Sequence, residues 1–305
     1  MSLAEGLSAE LRVEGTGEDL VGGRWREAFE RLRRNPSAIA GAALIVTFVA
    51  IAVLAPLVAP FSPLKADLSR LRPGYVPGPS ARHLLGLDQQ GRDELSRLIY
   101  GARYSLVIGV VSLAIGATVG VVVGALAGAF GRWVDTLLMR LMDIMLAVPG
   151  LLFAIGVAAL LGPSLRSVMI AIAVVNVPIF ARLLRASMLS QRESDYVLAA
   201  RAVGVKRRRI VVQHVLPNSI APVIVQGTLA LATAIIDAAG LAFLGLGSAD
   251  PATPEWGRML AETQRFLQSS PQLAFFPGVA IVLSVLGFNL VGDALREALD
   301  PKLRR

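Results

Sequence analysis

The side chains able to do chemistry are few. The chain has no cysteine, and its two histidines, His83 and His214, stand far apart in sequence. Disulfide and thiolate chemistry are excluded, and no His/Asp/Glu group has metal-ligand spacing. No Gly-x-x-x-x-Gly-Lys-Ser/Thr phosphate loop occurs, so any ATP must be hydrolysed elsewhere. No nucleophile–His–acid arrangement supports a membrane enzyme. What remains is a set of polar residues inside apolar stretches, Asp237 first and Asn176 and Asn289 behind it, and one basic loop running through Arg201 and Lys206 to Arg209. An ionisable group in an apolar span is costly in lipid and normally faces a polar interior. Asp237 is therefore a candidate for a translocation path or a subunit seam, where its carboxylate would meet a substrate ammonium. The alternative role is a buried partner for an arginine or a backbone group. No aromatic residues interleave with the basic run, which argues against nucleic acid.

These residues must be held by membrane helices. Of 305 residues, 54% are hydrophobic and 17% charged, against roughly 25% charged in a soluble domain. Six apolar stretches stand out: 38–59, 105–130, 137–161, 168–184, 220–244 and 276–290. About 20 helical residues cross a hydrocarbon core of ~30 Å. The fourth and sixth stretches are near the lower limit and must borrow residues from their flanks. The expected fold is all-α, with six transmembrane helices. The first stretch is too long, and lies too far from the N-terminus, for a signal peptide. Basic residues precede the first stretch, fill the loop between the fourth and fifth, and end the chain, which places both termini on the cytoplasmic side. The organisation follows: 1–37 as an N-terminal segment with an amphipathic helix near 25–32; 38–104 as the first span and a long outside loop; 105–293 as a five-helix core with a loop at 188–217; and 294–305 as a tail.

Local signals refine this outline. Asp93 can cap a short helix leading into the second span. Gly116, Gly120, Gly124 and Gly128 recur every four residues, which lets a second helix approach closely, in this chain or in a partner. Pro149 and Pro178 are expected to kink the third and fourth spans. Arg140 and Asp143 are spaced for a local ion pair. A surface helix is expected over 255–267, with Trp256 at the membrane interface.

The loop between the fourth and fifth spans carries the densest signals. Ser194 is a suitable N-cap, and Asp195 complements the dipole of the first turn. Tyr196, Ala199, Ala200 and Val203 share one face, and Gly204 can end the helix in the left-handed conformation. So short a helix is not stable alone in water and needs a docking surface. Lys206, Arg207, Arg208 and Arg209 would face acidic groups of a partner or anionic lipid. Leu216-Pro217 opens the next helix.

Ala199-Ala200, then Gly204, then nine residues and His214-Val215-Leu216-Pro217 together resemble the EAA loop of ABC-importer permeases. One departure is that the leading glutamate is Leu198 here, so a salt bridge from that position is absent. GLDQQGRDELSRLIYGARYSL (86–106), GLAFLGLGSADPATPEWGRML (240–260) and FNLVGDALREALDPKLR (288–304) resemble the dipeptide/oligopeptide/nickel branch, and its second permease chain in particular. The resemblance implies a non-catalytic permease subunit of a bacterial inner-membrane importer. It implies as partners a second homologous permease, two ATP-binding subunits holding ATP and Mg, an extracytoplasmic substrate-binding protein and membrane lipid. No cofactor is expected in this chain. Coupling to the ATPases would run through Asp195, Tyr196, Leu198, Ala199, Ala200, Gly204, Arg207, Leu216 and Pro217. Peptides are the first expectation for the solute, with nickel chelates or another small solute as alternatives. A stand-alone secondary transporter would need its own ion-coupling charges and a larger or duplicated bundle.

Overall fold

A computed structural model of the chain describes residues 29–71, 75–250 and 252–299. In chain order the helices that concern the site are α1 (Pro36–Val58), α2 (Glu94–Phe130), α3 (Arg132–Leu146), α4 (Gly150–Leu161), α5 (Leu165–Arg192), α6 (Asp195–Ala202), α7 (Ala221–Phe243), α8 (Trp256–Thr263) and α9 (Gln272–Leu299). Among the described residues no strand forms, and the isolated bridges include Ala66 with Arg92 and Leu87 with Asp93. Helices α1, α2, α5, α7 and α9 are long and apolar enough to cross a membrane. Helices α3 and α4 pass that test only as a pair, and they meet at 90°. The six expected stretches are therefore present, the third as a broken pair.

That break corrects the expected kink. Pro149 lies at the N-cap of α4 rather than inside a continuous helix. A residue preceding proline is disfavoured in the α conformation, so the chain turns between the two pieces. Pro178, by contrast, stays inside an uninterrupted α5. The helix expected after Asp93 and the second span are one helix of 37 residues, about 55 Å long. It exceeds a ~30 Å hydrocarbon core, so it projects beyond the core. Asp93 caps it as expected, accepting from the Ser96 amide. Asn35 does the same for α1 through the amides of Ser37 and Ala38. Helix α9 runs on to Leu299, past the expected start of the tail at 294. Residues 25–28 of the helix expected near 25–32 lie outside the described residues; 29–34 are helical.

The glycine ladder of α2 finds its partner within the chain. It faces α5, where a Cβ on Gly116 would stand 2.6 Å from the Ala173 carbonyl oxygen. A Cβ on Gly120 would meet the Val177 oxygen at 2.6 Å, and one on Gly124 the Ala181 oxygen at 2.5 Å. Gly128 closes on the Met188 side chain. Helix α3 is tied to α5 by Asp135 with Arg185 and by Asp143 with Arg182 at 3.7 Å. This replaces the expected Arg140–Asp143 pair, because α5 presents its arginines to that face.

Replacing Gly124 by Ala is expected to destabilise the chain by about 1–3 kcal/mol, since the obstructing atom is backbone and cannot rotate away. Gly156→Ala in α4, where an added Cβ meets nothing within 4 Å, is expected to leave stability unchanged or raise it. Thermal unfolding of both variants in the same detergent checks the contrast.

Candidate functional site

The loop from Glu193 to Ser219 is built around a short helix. Ser194 occupies the N-cap of α6, but its hydroxyl donates back to the Gln191 oxygen and does not cap the helix. The C-terminus is closed firmly. Gly204 takes φ +80° and donates to the Arg201 oxygen, and the Val205 amide reaches the Ala200 oxygen at 3.0 Å. These two bonds form a Schellman motif, which the left-handed Gly204 makes possible. Val197 is fully buried and pins the helix to Leu184, Met188, Ile210 and Val215. The outward face carries Tyr196, Leu198, Ala199 and Val203, the last 79% exposed, while Ala200 is half-buried. An eight-residue helix thus stands on one apolar peg, with an apolar, low-relief face left open.

Beyond Gly204 the backbone is irregular. Arg207–Arg209 form one turn, Ile210–Val215 a π-turn, and Leu216–Ser219 a further short turn before α7. Pro217 has no amide hydrogen, so the ladder leading up to it must change. Asn218 and Tyr196 both donate to the His214 oxygen, at 2.6 and 3.4 Å, and Ser219 donates to the Val215 oxygen. Pro217 therefore lies one turn ahead of the span and not in its first turn.

The loop also holds the end of α2. The last carbonyls of a helix lack intrahelical donors. Arg192 donates to the Gly128 oxygen at 2.7 Å, and Arg207 donates to the Ala129 oxygen at 2.7 Å. Positive charge at a helix C-terminus also matches its dipole. Arg207 was identifiable in the basic run. Arg192 carries no local signal that sets it apart from the other arginines of the loop, and Val197 lies off the Tyr196–Val203 face.

The candidate pathway residues separate. Asn176 is buried in the α2–α5 seam beside Gly116 and donates to the Ile172 oxygen, so it faces packing rather than open space. Asn289 is half-buried on α9. Asp237 is half-buried on α7 and has no ion-pair or hydrogen-bond partner among the described residues. The arginine-partner role is thus not seen for it.

At the other end of the bundle, a cluster unforeseen from the sequence fastens the 67–93 loop and α8 to α2. Glu262 meets Arg97 at 3.0 Å, Arg92 at 3.2 Å and Arg258 at 2.8 Å. Asp88 pairs with Arg92 at 2.6 Å and with Arg97. Burial pushes the Glu262 carboxyl up, but the three arginines outweigh it and hold it below the usual carboxylate range. Glu255 is the opposite case. Burial, only partly offset by Arg258, raises it to about 7, and its Oε2 has no hydrogen-bond partner. Trp256 is 1% exposed instead of interfacial. Its indole donates to the Leu98 oxygen at 3.0 Å, and it packs where Gly101 leaves room. Among the described residues no group of His, Asp and Glu could hold a metal ion.

This arrangement is that of a transport permease of the type I ABC importer fold. Solved structures of the MetNI methionine ABC transporter share it, with TM-scores of 0.54 and 0.55 at 19% identity, over 66% of this chain and 95–96% of theirs. An amino acid ABC transporter follows at TM-score 0.52 and 14% identity, over 66% of this chain and 94% of that one. Residues 120–305 match the family described as the binding-protein-dependent transport system inner membrane component, and 23–75 match the N-terminal TM domain of oligopeptide transport permease C. The chain belongs to the binding-protein-dependent transport system inner membrane component family. It is 49% identical to the dipeptide transport system permease protein DppC of Alkalihalophilus pseudofirmus, over 92% of this chain and 90% of that one. It is 46% identical to the di/tripeptide permease DppC of Pseudomonas aeruginosa, over 92% of each, and 42% identical to the glutathione permease GsiD of Escherichia coli, over 94% and 93%.

Glu262→Gln is expected to cost about 3–5 kcal/mol, because it leaves the buried Arg92 and Arg97 to share the single carboxylate of Asp88. Glu255 gives a pH signature. Its carboxyl ordinarily titrates at 4.5 and is raised to about 7 in the fold, so the folded chain holds a proton that the unfolded chain releases. Stability is expected to fall as pH rises from about 4.5 to about 7, and to level off above that. Glu255→Gln should flatten this slope, as read from thermal midpoints across that pH range.

Proposed function

We propose that this chain is one of two permease subunits of an ATP-driven importer for di- and oligopeptides, and that α6 is its point of contact with an ATP-binding subunit. The observation that carries the reading is the open face of α6. A short helix locked at its C-terminus, pinned by Val197 and presenting Tyr196, Leu198, Ala199 and Val203, is built to be gripped from outside. The peptide assignment is supported by the 49% and 46% identity to dipeptide and di/tripeptide permeases. The other partners are a second homologous permease, a second ATP-binding subunit and an extracytoplasmic substrate-binding protein. ATP and Mg belong to the ATP-binding subunits. Both termini and the α6 loop lie on the cytoplasmic side, consistent with their arginines.

The chain's own residues contribute mechanics. A displacement of α6 pulls on Arg207 and Arg192, which hold the terminal carbonyls of α2. Helix α2 contains no proline and is sealed to α5 along the glycine ladder, so the two move as a unit. The motion reaches the opposite end at Arg97, where the buried cluster carries it to the 67–93 loop and α8. Asp237 is half-buried on α7 without an ion-pair or hydrogen-bond partner among the described residues, and would face the solute path to meet the peptide ammonium.

Ala199→Trp adds bulk to an exposed position, where substitutions normally change stability by less than about 0.5 kcal/mol. It is expected to abolish peptide uptake in reconstituted vesicles and to disconnect ATP hydrolysis from transport, while the chain still folds. Uptake at the parental rate would refute the docking role. Asp237→Asn is expected to slow uptake of peptides with a free ammonium at least tenfold, and unchanged uptake would remove the charge from the mechanism.

A further inference from the structure

Behind α6 lies a cavity of about 350 Å³ lined by Arg192, Arg201 and Arg207 above a floor of Val205, Ile210, Val211 and Val215. Each guanidinium is already positioned by a backbone carbonyl: Arg192 by Gly128, Arg207 by Ala129, and Arg201 by the Arg192 oxygen at 3.2 Å. Repulsion from Arg207 and Arg201 acts on Arg192, and the exposed Glu193 offsets part of it. Among the described residues none of the three forms a salt bridge with a carboxylate. Three cations lining one cavity, none salt-bridged to a carboxylate among the described residues, make an anion site, and each guanidinium keeps donors to spare.

We infer that this cavity binds the phosphate headgroup of an acidic phospholipid. The level of the site and its floor select that occupant. Arg192 and Arg207 are bonded to the last carbonyls of α2, whose apolar run continues to Phe130, so their charges stand where that run ends. The valines and isoleucine beneath them form an apolar surface suited to glycerol and acyl carbons rather than to a free anion. A partner protein's contact is instead served by the apolar outer face of α6. The lipid would lock α6 against the end of α2. The inference does not depend on which solute is carried.

The test is native mass spectrometry of the full chain after equilibration in detergent with equal amounts of phosphatidylglycerol and phosphatidylcholine. Phosphatidylglycerol is expected to be retained in preference. Arg201→Gln, which leaves the α2 caps in place, should weaken that retention about fivefold. Arg208→Gln, outside the cavity, should not change it. Should Arg201→Gln fail to fold, the preference of the parental chain, and its persistence in Arg208→Gln, decide the matter. Equal retention of both lipids, or equal loss in both variants, would overturn the site. Complete displacement by inorganic phosphate would assign it to a free anion, and displacement on adding the ATP-binding subunits would assign it to a protein carboxylate; either result overturns the lipid.

Discussion

Where Gly120 and Gly124 face Val177 and Ala181, two helix backbones lie so close that one added methyl would strike a carbonyl oxygen. Lipid supplies no hydrophobic force between helices, so such contacts rest on close packing. The ladder fixes how far α5 can slide along α2. Gly128 is both its last rung and the acceptor for Arg192, so the seam sets the height at which the arginines meet the end of α2. The position of α6, which follows directly from α5, depends on the same seam.

Helix α2 is the long element that reaches both functional ends. Its C-terminus is held by the α6 loop, and its N-terminal turns enter the cluster of Asp88, Arg92, Arg97 and Glu262. Buried ion pairs of this kind are poor sources of stability but strict about geometry, because an unpaired member is expensive. The cluster therefore fixes where the 67–93 loop and α8 sit, and Trp256 wedged beside Gly101 sets their distance from α2. The broken pair α3–α4 contrasts with this rod: its 90° turn leaves α4 free to follow a different direction.

Features governed by neighbours in sequence were legible. Asp93 caps a helix, Gly204 stops one, and the four-residue spacing of glycines marks a packed face, because each is a matter of a few adjacent backbone groups. Features governed by competition between partners were not. Ser194 had two possible acceptors or donors within reach and turned to Gln191. Asp143 had Arg140 nearby in sequence but Arg182 across the helix pair. Trp256 looked interfacial, yet the gap at Gly101 and the Leu98 carbonyl offered its ring and its N–H a buried place. The burial of Asn176 beside Gly116 also depends on how α2 packs against α5.

The sequence by itself determined the class of molecule: a multi-pass helical bundle, a loop helix bounded by Ser194 and Gly204, and a charge pattern with no catalytic set. Periodicity, apolar length and local capping are properties of contiguous residues, so they survive without knowledge of the fold. Only the tertiary structure decided that the glycine ladder closes on α5, that Arg192 and Arg207 hold the end of α2, and that charges from three separate segments gather around Arg97 and Glu262. Those contacts join residues far apart in the chain, and their energies depend on burial and on exact partners. No sequence window contains either.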